Sequence, residues 1–334
     1  MSETGGRLQI QSEAPCISCV ITSFNNGEDL RRAVESVLDQ TLPAREIIIA
    51  DDASSPHSRE IAASLAARTP NTRLIARERN LGAGANRHLA ILESAHPFIT
   101  TLDGDDLYDR AKLSLEWAAL EGRTDRIAYS DVTVTAPDGK SSLRTSKAFA
   151  DLSPEQRLEA TVLRAVPPPR DMLYAKDLYL ASGGYDQSAR MYEDWSLKMR
   201  LARQVKQWRG ADAIGTIYRP RVDGLAAASR PAHAFWKVYA LCRNLDWLVE
   251  ALTSDVIVKA FQRVLQGHDD PELVLRAQRA LERLPRSGDW RAALEPLRRL
   301  ADREDLRLVS DAGLSALLSD VFDGLDDIAA GEPT

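Results

Sequence analysis

Residues 98–110 read Phe98-Ile99-Thr100-Thr101-Leu102-Asp103-Gly104-Asp105-Asp106-Leu107-Tyr108-Asp109-Arg110, so an apolar segment of strand length runs straight into three carboxylates within four positions. Like charges this close repel, and the cluster implies neutralisation by water or by a cation. Oxygen-only ligands beside open positions suit Mg²⁺ or Mn²⁺ shared with substrate phosphates, rather than a closed protein cage. The competing reading is a solvated Asp/Gly turn that caps a helix starting near Arg110. An EF-hand fits poorly, because Tyr108 stands where that loop needs its glycine.

Upstream, the same kind of segment recurs. Cys16 to Thr22 is a near-continuous apolar run, as expected of a parallel strand covered on both faces. It stops at the turn Ser23-Phe24-Asn25-Asn26-Gly27. Leu30, Ala33, Val34, Val37 and Leu38 then form one stripe of an amphipathic helix, which Pro43 closes. Glu46 to Ala50 predicts a second strand, and it too ends in paired acids, Asp51 and Asp52. A helix capped near Ser58 carries Ile61, Leu65 and Ala66, and Arg73 to Ala76 predicts a short third strand. The loop Arg79-Asn80-Leu81-Gly82-Ala83-Gly84 precedes a helix holding Leu89 and Leu92, after which residues 98–102 follow. Strand and helix therefore alternate, which argues for a parallel α/β sheet whose ligands sit beyond the carboxyl ends of its strands. Phe24, Asp51, Asp52, Asp103 and Asp105 all fall at those ends.

Downstream, a helix with Leu113, Trp117 and Leu120 leads to a strand over Ile127 to Thr135 and the hairpin turn Ala136-Pro137-Asp138-Gly139. The sheet gains an antiparallel section there. Asp151 to Ala165 reads as helix, Pro167-Pro168-Pro169 breaks it, and Asp171 to Tyr174 reads as a short strand. After the turn Gly183-Gly184-Tyr185-Asp186, Tyr192-Glu193-Asp194-Trp195 opens a helix whose Leu197, Leu201 and Val205 share a face. Glu193 and Asp194 either complement the helix dipole or form a second functional acidic pair. From Phe235 the pattern is helical alone, with one stripe at Leu273, Ala277, Leu281 and Leu284 behind Asp270-Pro271 and another at Leu314, Leu317, Leu318, Val321 and Leu325. Those faces cover the preceding domain or their own bundle, or else meet a partner protein or a membrane surface.

Composition narrows the function classes. The 334 residues are 44% hydrophobic and 28% charged, as in a soluble globular protein, and a net charge of −6 gives no reason to expect nucleic acid. Cys16, Cys19 and Cys242 cannot build a disulfide framework, and Cys16-Ile17-Ser18-Cys19 lies in an apolar run with no second pair to complete a zinc site. With no window of roughly 18 uninterrupted apolar residues and a polar N-terminus, the expected location is cytoplasmic. Gly82-Ala83-Gly84 lacks the third glycine of a dinucleotide loop, where Arg87 stands, and neither G-x-S-x-G nor H-E-x-x-H occurs.

Taken together, Val20-Ile21-Thr22-Ser23-Phe24-Asn25, Ile47-Ile48-Ile49-Ala50-Asp51-Asp52-Ala53-Ser54, Asn80-Leu81-Gly82, Leu102-Asp103-Gly104-Asp105-Asp106 and Gly183-Gly184-Tyr185-Asp186 followed by Glu193-Asp194-Trp195 resemble the family 2 glycosyltransferases of the GT-A fold, over residues 15–220. The resemblance implies a mostly parallel, Rossmann-like α/β sheet flanked by helices, followed here by an all-helical C-terminal region. The expected division is a tail at 1–14, a GT-A domain at 15–225 and a helical extension at 226–334. The resemblance also implies an inverting, metal-dependent transfer of sugar from a nucleoside-diphosphate sugar, a UDP-sugar, to a saccharide or glycoconjugate hydroxyl in polysaccharide or glycoconjugate synthesis. By position, Thr22 and Phe24 match residues that contact and stack on the nucleobase, with Phe in place of the more usual Tyr. Asp52 matches the carboxylate that accepts from the base N–H, and Arg87 a basic residue near the nucleotide. Asp103 matches the ribose and metal region, Asp105 the direct ligand of Mn²⁺ or Mg²⁺, and Asp194 the general base. The Asp105 carboxylate is expected to face solvent. Two positions depart from the family pattern: His88 replaces a frequent Asn, and Arg221 stands where a His often follows the last strand. The helices beyond residue 235 lie outside the resemblance and leave room for a peripheral contact with the inner membrane face or with a protein. The alternative function is a non-catalytic nucleotide-sugar-binding or scaffold protein on the same fold.

Overall fold

Apolar runs buried on both sides build the first half of the molecule. The computed structural model describes residues 15–221, 224–266, 275, 277, 279–280 and 311–330. In it β1 (Ile17–Ser23) is buried along its whole length. Its odd-numbered residues Cys19 and Ile21 face one apolar layer with Leu30, Val34, Ile47 and Ile49, while Val20 faces a second with Ile48, Ala90 and Ile91. Period-two alternation between two covered faces is why the strand reads as continuously apolar. After α1 (Glu28–Leu38), β2 (Glu46–Asp51), α2 (Pro56–Arg68), β3 (Thr72–Ala76) and α3 (Ala83–Glu93) comes β4 (Phe98–Asp103). β1 pairs in parallel with both β2 and β4, and β2 with β3, so the expected parallel α/β unit is present.

The chain continues through β5 (Leu107–Tyr108), α4 (Lys112–Leu120), β6 (Arg126–Thr135), β7 (Ser141–Arg144), α5 (Lys147–Ala150), α6 (Pro154–Val162), β8 (Leu173–Ala175), α7 (Lys176–Ala181), α8 (Glu193–Gln204) and β9 (Gln207–Tyr218). Among the described residues these strands join one nine-stranded sheet, ordered β3-β2-β1-β4-β8-β6-β9-β5 with β7 on β6. The hairpin at Ala136 to Gly139 forms as expected, and β8 enters antiparallel between β4 and β6. Because β6 and β9 run parallel to each other, the end of β9 at Tyr218 comes to the rim that holds Asp103.

Several local expectations are corrected. The helix near Arg110 starts at Lys112, because Leu107 and Tyr108 first pair with Ile217 and Thr216 of β9. The helix expected over Asp151 to Ala165 is the shorter α6, with the separate α5 ending just before it, and Ser153 with Gln156 makes a capping box at the start of α6. The strand expected from Asp171 runs over Leu173–Ala175. The cap of α2 is at Ser55, not Ser58. Leu38 and Leu92 are exposed at 38% and 44%. On α3 the inward positions go instead to Asn86 and Arg87 along with Ala90 and Ile91. Asn86 Nδ2 donates to Ala50 O at 2.7 Å, tying the helix to β2.

Beyond the sheet lie α9 (Arg230–Cys242), α10 (Leu245–Ala251), α11 (Ser254–Leu265) and α12 (Asp311–Ala330). Phe235, Trp236, Tyr239 and Leu248 join the apolar layer that also holds Trp195 and Leu197 of α8. Leu318, Val321 and Leu325 of α12 are buried, and Phe322 meets Phe261 edge-on with centroids 6.2 Å apart. Ala277 is helical and buried. The tail at 1–14, Leu273, Leu281, Leu284 and the side chains of Leu314 and Leu317 lie outside the described residues. No helix among the described residues is long and apolar enough to cross a membrane. Cys19 and Cys242 are buried free thiols and Cys16 is half-buried, and burial pushes Cys19 up to about 12.

One buried ion pair ties α4 to the rim from behind. Lys112 Nζ donates to Glu116 Oε2 at 2.6 Å and to Asp171 O at 2.5 Å, and Ser130 Oγ donates to Glu116 Oε1 at 2.7 Å. Both charged side chains are 1% exposed or less. Removing one partner of such a pair leaves a buried charge uncompensated, so Glu116→Ala should cost about 3–5 kcal/mol. Lys112→Met combined with Glu116→Leu should cost less than Glu116→Ala alone. Urea midpoints at matched m-values check this. A double variant no more stable than the single one would overturn the role given to the pair.

Candidate active site

Strand register sets the site. Thr22 is the Cα partner of Asp103, so Thr22 Oγ1 donates to Asp103 Oδ1 at 3.1 Å across the ends of β1 and β4. The next residue must turn close against β1. Gly104 N donates to Thr22 O at 2.8 Å, and a Cβ at position 104 would lie 2.7 Å from that oxygen. Glycine between the acids is therefore a steric requirement.

The three acids have three fates. Asp106 is fully buried, receives Arg170 Nη2 at 2.8 Å and accepts from the Arg219 backbone N–H at 2.8 Å, so it anchors the end of β9. Asp103 accepts on Oδ1 from Arg87 Nη2 and on Oδ2 from Arg170 Nη2 at 3.2 Å. Burial pushes Asp103 up, but the two guanidiniums prevail and hold it below the usual carboxylate range. Asp105 is half-buried rather than solvent-facing, and burial with the neighbouring Asp103 charge pushes it up to about 6, against the pull of Arg221 and Arg170. Arg87 and Arg170 thus pair with two of the three carboxylates, although burial pushes Asp106 well up against the pull of Arg170. Asp105 keeps a destabilised negative charge. Two buried polar atoms nearby, Ser23 Oγ and Arg87 Nε, have no hydrogen-bond partner.

Loops above the ends of β1 and β2 brace one another. Asp52 accepts from Leu81 N at 2.7 Å and Gly82 N at 2.8 Å, so its carboxylate holds the Asn80 to Gly82 loop. Burial raises it despite those bonds. Asn25 N donates to Ser54 Oγ at 2.9 Å and Ser55 N to Asn25 Oδ1 at 2.8 Å. Phe24, with 46% of its surface exposed, projects from this frame.

The second acidic pair enters from α8. Tyr192 adopts a left-handed backbone, φ 61°, immediately before Glu193. Glu193 turns inward, where its Oε1 accepts from Arg87 Nη1 at 3.2 Å, so Arg87 bridges it to Asp103. The approach needs Gly84, since a Cβ there would lie 2.8 Å from Glu193 Cγ. Burial and the adjacent Asp194 charge push Glu193 up. Asp194 points outward, its side chain 49% exposed, and accepts from Lys198 Nζ at 2.7 Å. Burial works against its ionisation, yet Lys198, with Arg170 and Arg87 behind it, holds it well below the usual range.

Thr22, Arg87 and Asp103 are thus in direct contact, with Asp105 two positions beyond Asp103, Asp194 next to the Arg87 partner Glu193, and Phe24 and Asp52 at the neighbouring strand ends. Sequence reading missed Arg170, which is separated from Asp103 and Asp106 by 67 and 64 positions. It also missed Lys198 and Tyr185, whose ring centroid lies 5.1 Å from the Arg87 guanidinium. A lone Arg behind three prolines carries no local signal, whereas Lys198 at i+4 from Asp194 was a readable helix pair.

Comparison with known proteins fits this architecture. The model described as glycosyl transferase family 2 matches residues 18–173. The succinoglycan biosynthesis protein ExoO of Rhizobium meliloti is 30% identical over 248 residues, covering 69% of this chain and 70% of that protein. The putative teichuronic acid biosynthesis glycosyltransferase TuaG of Bacillus subtilis is 26% identical over 149 residues, and the match spans 59% of its length. Among solved structures, S. aureus TarS 1-349 in complex with UDP-GlcNAc superimposes with a TM-score of 0.62 at 15% identity, covering 95% of this chain and 92% of that one, which is a likeness of fold. A relative 30% identical over more than two thirds of both chains, joined to a family-model match across the strands that build the rim, makes this chain a member of glycosyl transferase family 2.

Proposed function

We propose that this chain is an inverting glycosyltransferase that moves a sugar from a UDP-sugar to a hydroxyl of a saccharide or glycoconjugate acceptor. The observation that carries this reading is the Arg87 bridge. It fixes the donor-side carboxylate Asp103 against Glu193, whose neighbour Asp194 stands half exposed on the same cleft. The fold neighbour TarS, solved with UDP-GlcNAc, and relatives named for succinoglycan and teichuronic acid biosynthesis support the donor and the product class.

In this reading Phe24 stacks on the nucleobase, Asp52 accepts from its N–H, and Thr22, Asp103 and Arg87 line the ribose and diphosphate. Among the described residues no three His, Cys, Asp or Glu side chains gather as a metal cage. The raised carboxylate of Asp105 fits a single attachment point for Mn²⁺ or Mg²⁺, with donor phosphates and water completing the shell. A bound divalent ion would offset negative charge on the departing diphosphate. Asp194 takes the proton of the acceptor hydroxyl as its oxygen bonds to the anomeric carbon. The bond from that carbon to the diphosphate oxygen breaks, and the nucleoside diphosphate leaves with the electron pair. One in-line displacement inverts the anomeric centre. Arg170 and Arg221 lie where they can share in neutralising the leaving group.

Three tests follow the parts. In titration calorimetry without metal, Asp52→Ala should weaken UDP binding, since both a base contact and the Asn80 to Gly82 loop are lost; unchanged affinity would remove Asp52 from the base pocket. Asp105→Asn should abolish the gain in UDP affinity given by Mn²⁺. Because the carboxylate must shed its proton to take a cation, that gain in the wild type should grow as pH rises through about 6 and level off above it. A Mn²⁺ effect equal in both proteins, or flat across that range, counts against the metal role. For chemistry, Asp194→Asn should cut kcat by about 10²–10⁴ with UDP affinity intact. Losing Lys198 removes the charge that keeps Asp194 acidic, so Lys198→Met should move the acidic limb of the kcat–pH profile upward. Near-normal turnover by Asp194→Asn would shift the search for a base to Glu193.

A further inference from the structure

Beside the proposed base, two cations stand without a carboxylate. Arg164 follows the end of α6 with a left-handed backbone, φ 49°, and is exposed. Its guanidinium sits 5.1 Å from the Tyr192 ring centroid and 5.5 Å from that of Trp195. Lys237 comes from α9 and is half-buried, with Nζ 5.5 Å from the same Tyr192 ring. His233 Nδ1 and Tyr192 Oη, 2.9 Å apart, share a hydrogen bond that ties the ring to α9. Several neighbouring cations are paired: Arg87 and Arg170 with Asp103, Lys198 with Asp194, Arg243 with Asp186, while Arg200 is held by backbone carbonyls and neutral side chains. Arg164 and Lys237 make no such pair among the described residues, and burial together with the Arg164 charge pushes Lys237 down. One cation suffices to cover an aromatic face, and two on the same ring repel each other.

We propose that Arg164 and Lys237, arranged around Tyr192 two positions before Asp194, bind an anionic group, a phosphate or a carboxylate, carried by the saccharide acceptor. The Asp194 charge acts on the Tyr192 hydroxyl, so an anion held at this ring lies within an acceptor's reach of the base. Arg164 follows α6 and Lys237 lies on α9, elements separate from the strands β1, β2 and β4 that carry the donor residues. The assignment deepens the glycosyltransferase reading and rests on it for the role of Asp194.

The test uses the full chain saturated with UDP, which fills the other arginine-lined region, at low ionic strength where screening is least. Glucose, glucose 6-phosphate and glucuronate are titrated separately, with binding followed by calorimetry or ligand-observed NMR. At least one anionic sugar should bind about tenfold tighter than glucose, as a charge-assisted contact provides, and which one gains identifies the anion. Arg164→Gln with Lys237→Met keeps both stems, and should erase the preference while leaving glucose binding, UDP affinity and thermal melting unchanged. If neither anion exceeds glucose, or if the preference survives in the double variant, the site does not exist. Should the wild type fail to bind UDP, the donor reading fails instead. The same titrations without UDP, compared between wild type and double variant, still decide the anion site.

Discussion

A buried guanidinium constrains everything around it. Arg87 is only 6% exposed, and a charge taken out of water costs several kcal/mol unless partners surround it. Here Asp103 and Glu193 lie on either side and the Tyr185 ring faces it at 5.1 Å. These contacts cannot loosen one at a time without stranding a charge. The end of β4, the inner face of α3 and the first turn of α8 are therefore set relative to one another by one side chain. Gly84 and Gly104 follow from the same demand, since each lets a backbone come close enough for the carboxylates to reach.

That constraint explains where the sequence could be read and where it could not. The parallel half was legible because strands covered on both faces carry runs of buried apolar residues, and β1, β2 and β4 do. Their acidic ends were legible as a rim once the strand order was known. α3 misled, because a functional helix turns Asn86 and Arg87 inward and leaves Leu92 outside, which inverts the ordinary amphipathic pattern. Arg170 was invisible for a different reason: apart from the adjacent Asp171, its carboxylate partners Asp103 and Asp106 are distant in sequence. Without it the three acids looked as though they needed an external cation, when the fold already supplies guanidiniums for Asp103 and Asp106.

The same logic separates adjacent acids into different tasks. Successive helical residues point roughly 100° apart, at 3.6 residues per turn. So Glu193 goes into the core beside Arg87 while Asp194 stays at the surface beside Lys198. One is pushed up by burial and its neighbour's charge, and the other is held down by an ammonium. Carboxylates driven apart in acidity by their surroundings are the usual arrangement for acid–base work in one cleft. At the other acidic cluster, guanidiniums hold Asp103 down while burial and the Asp103 charge push Asp105 up.

The helical region takes part in this arrangement. The family match ends at residue 173, before either member of the second acidic pair. The segment that presents Asp194 is instead braced from α9 and the residues just beyond it. His233 and Tyr192 share a hydrogen bond, Arg243 Nε donates to Asp186 Oδ2 at 2.8 Å, and Asn244 Nδ2 donates to Ser196 Oγ at 2.8 Å. Tyr192 adopts a left-handed backbone, which is costly for a bulky residue and persists only where surrounding contacts over-determine it. Cutting those contacts would release the turn without touching the sheet. The strand ends that hold Asp103 thus lie within the family match, while the turn that presents Asp194 depends on contacts with helices beyond it.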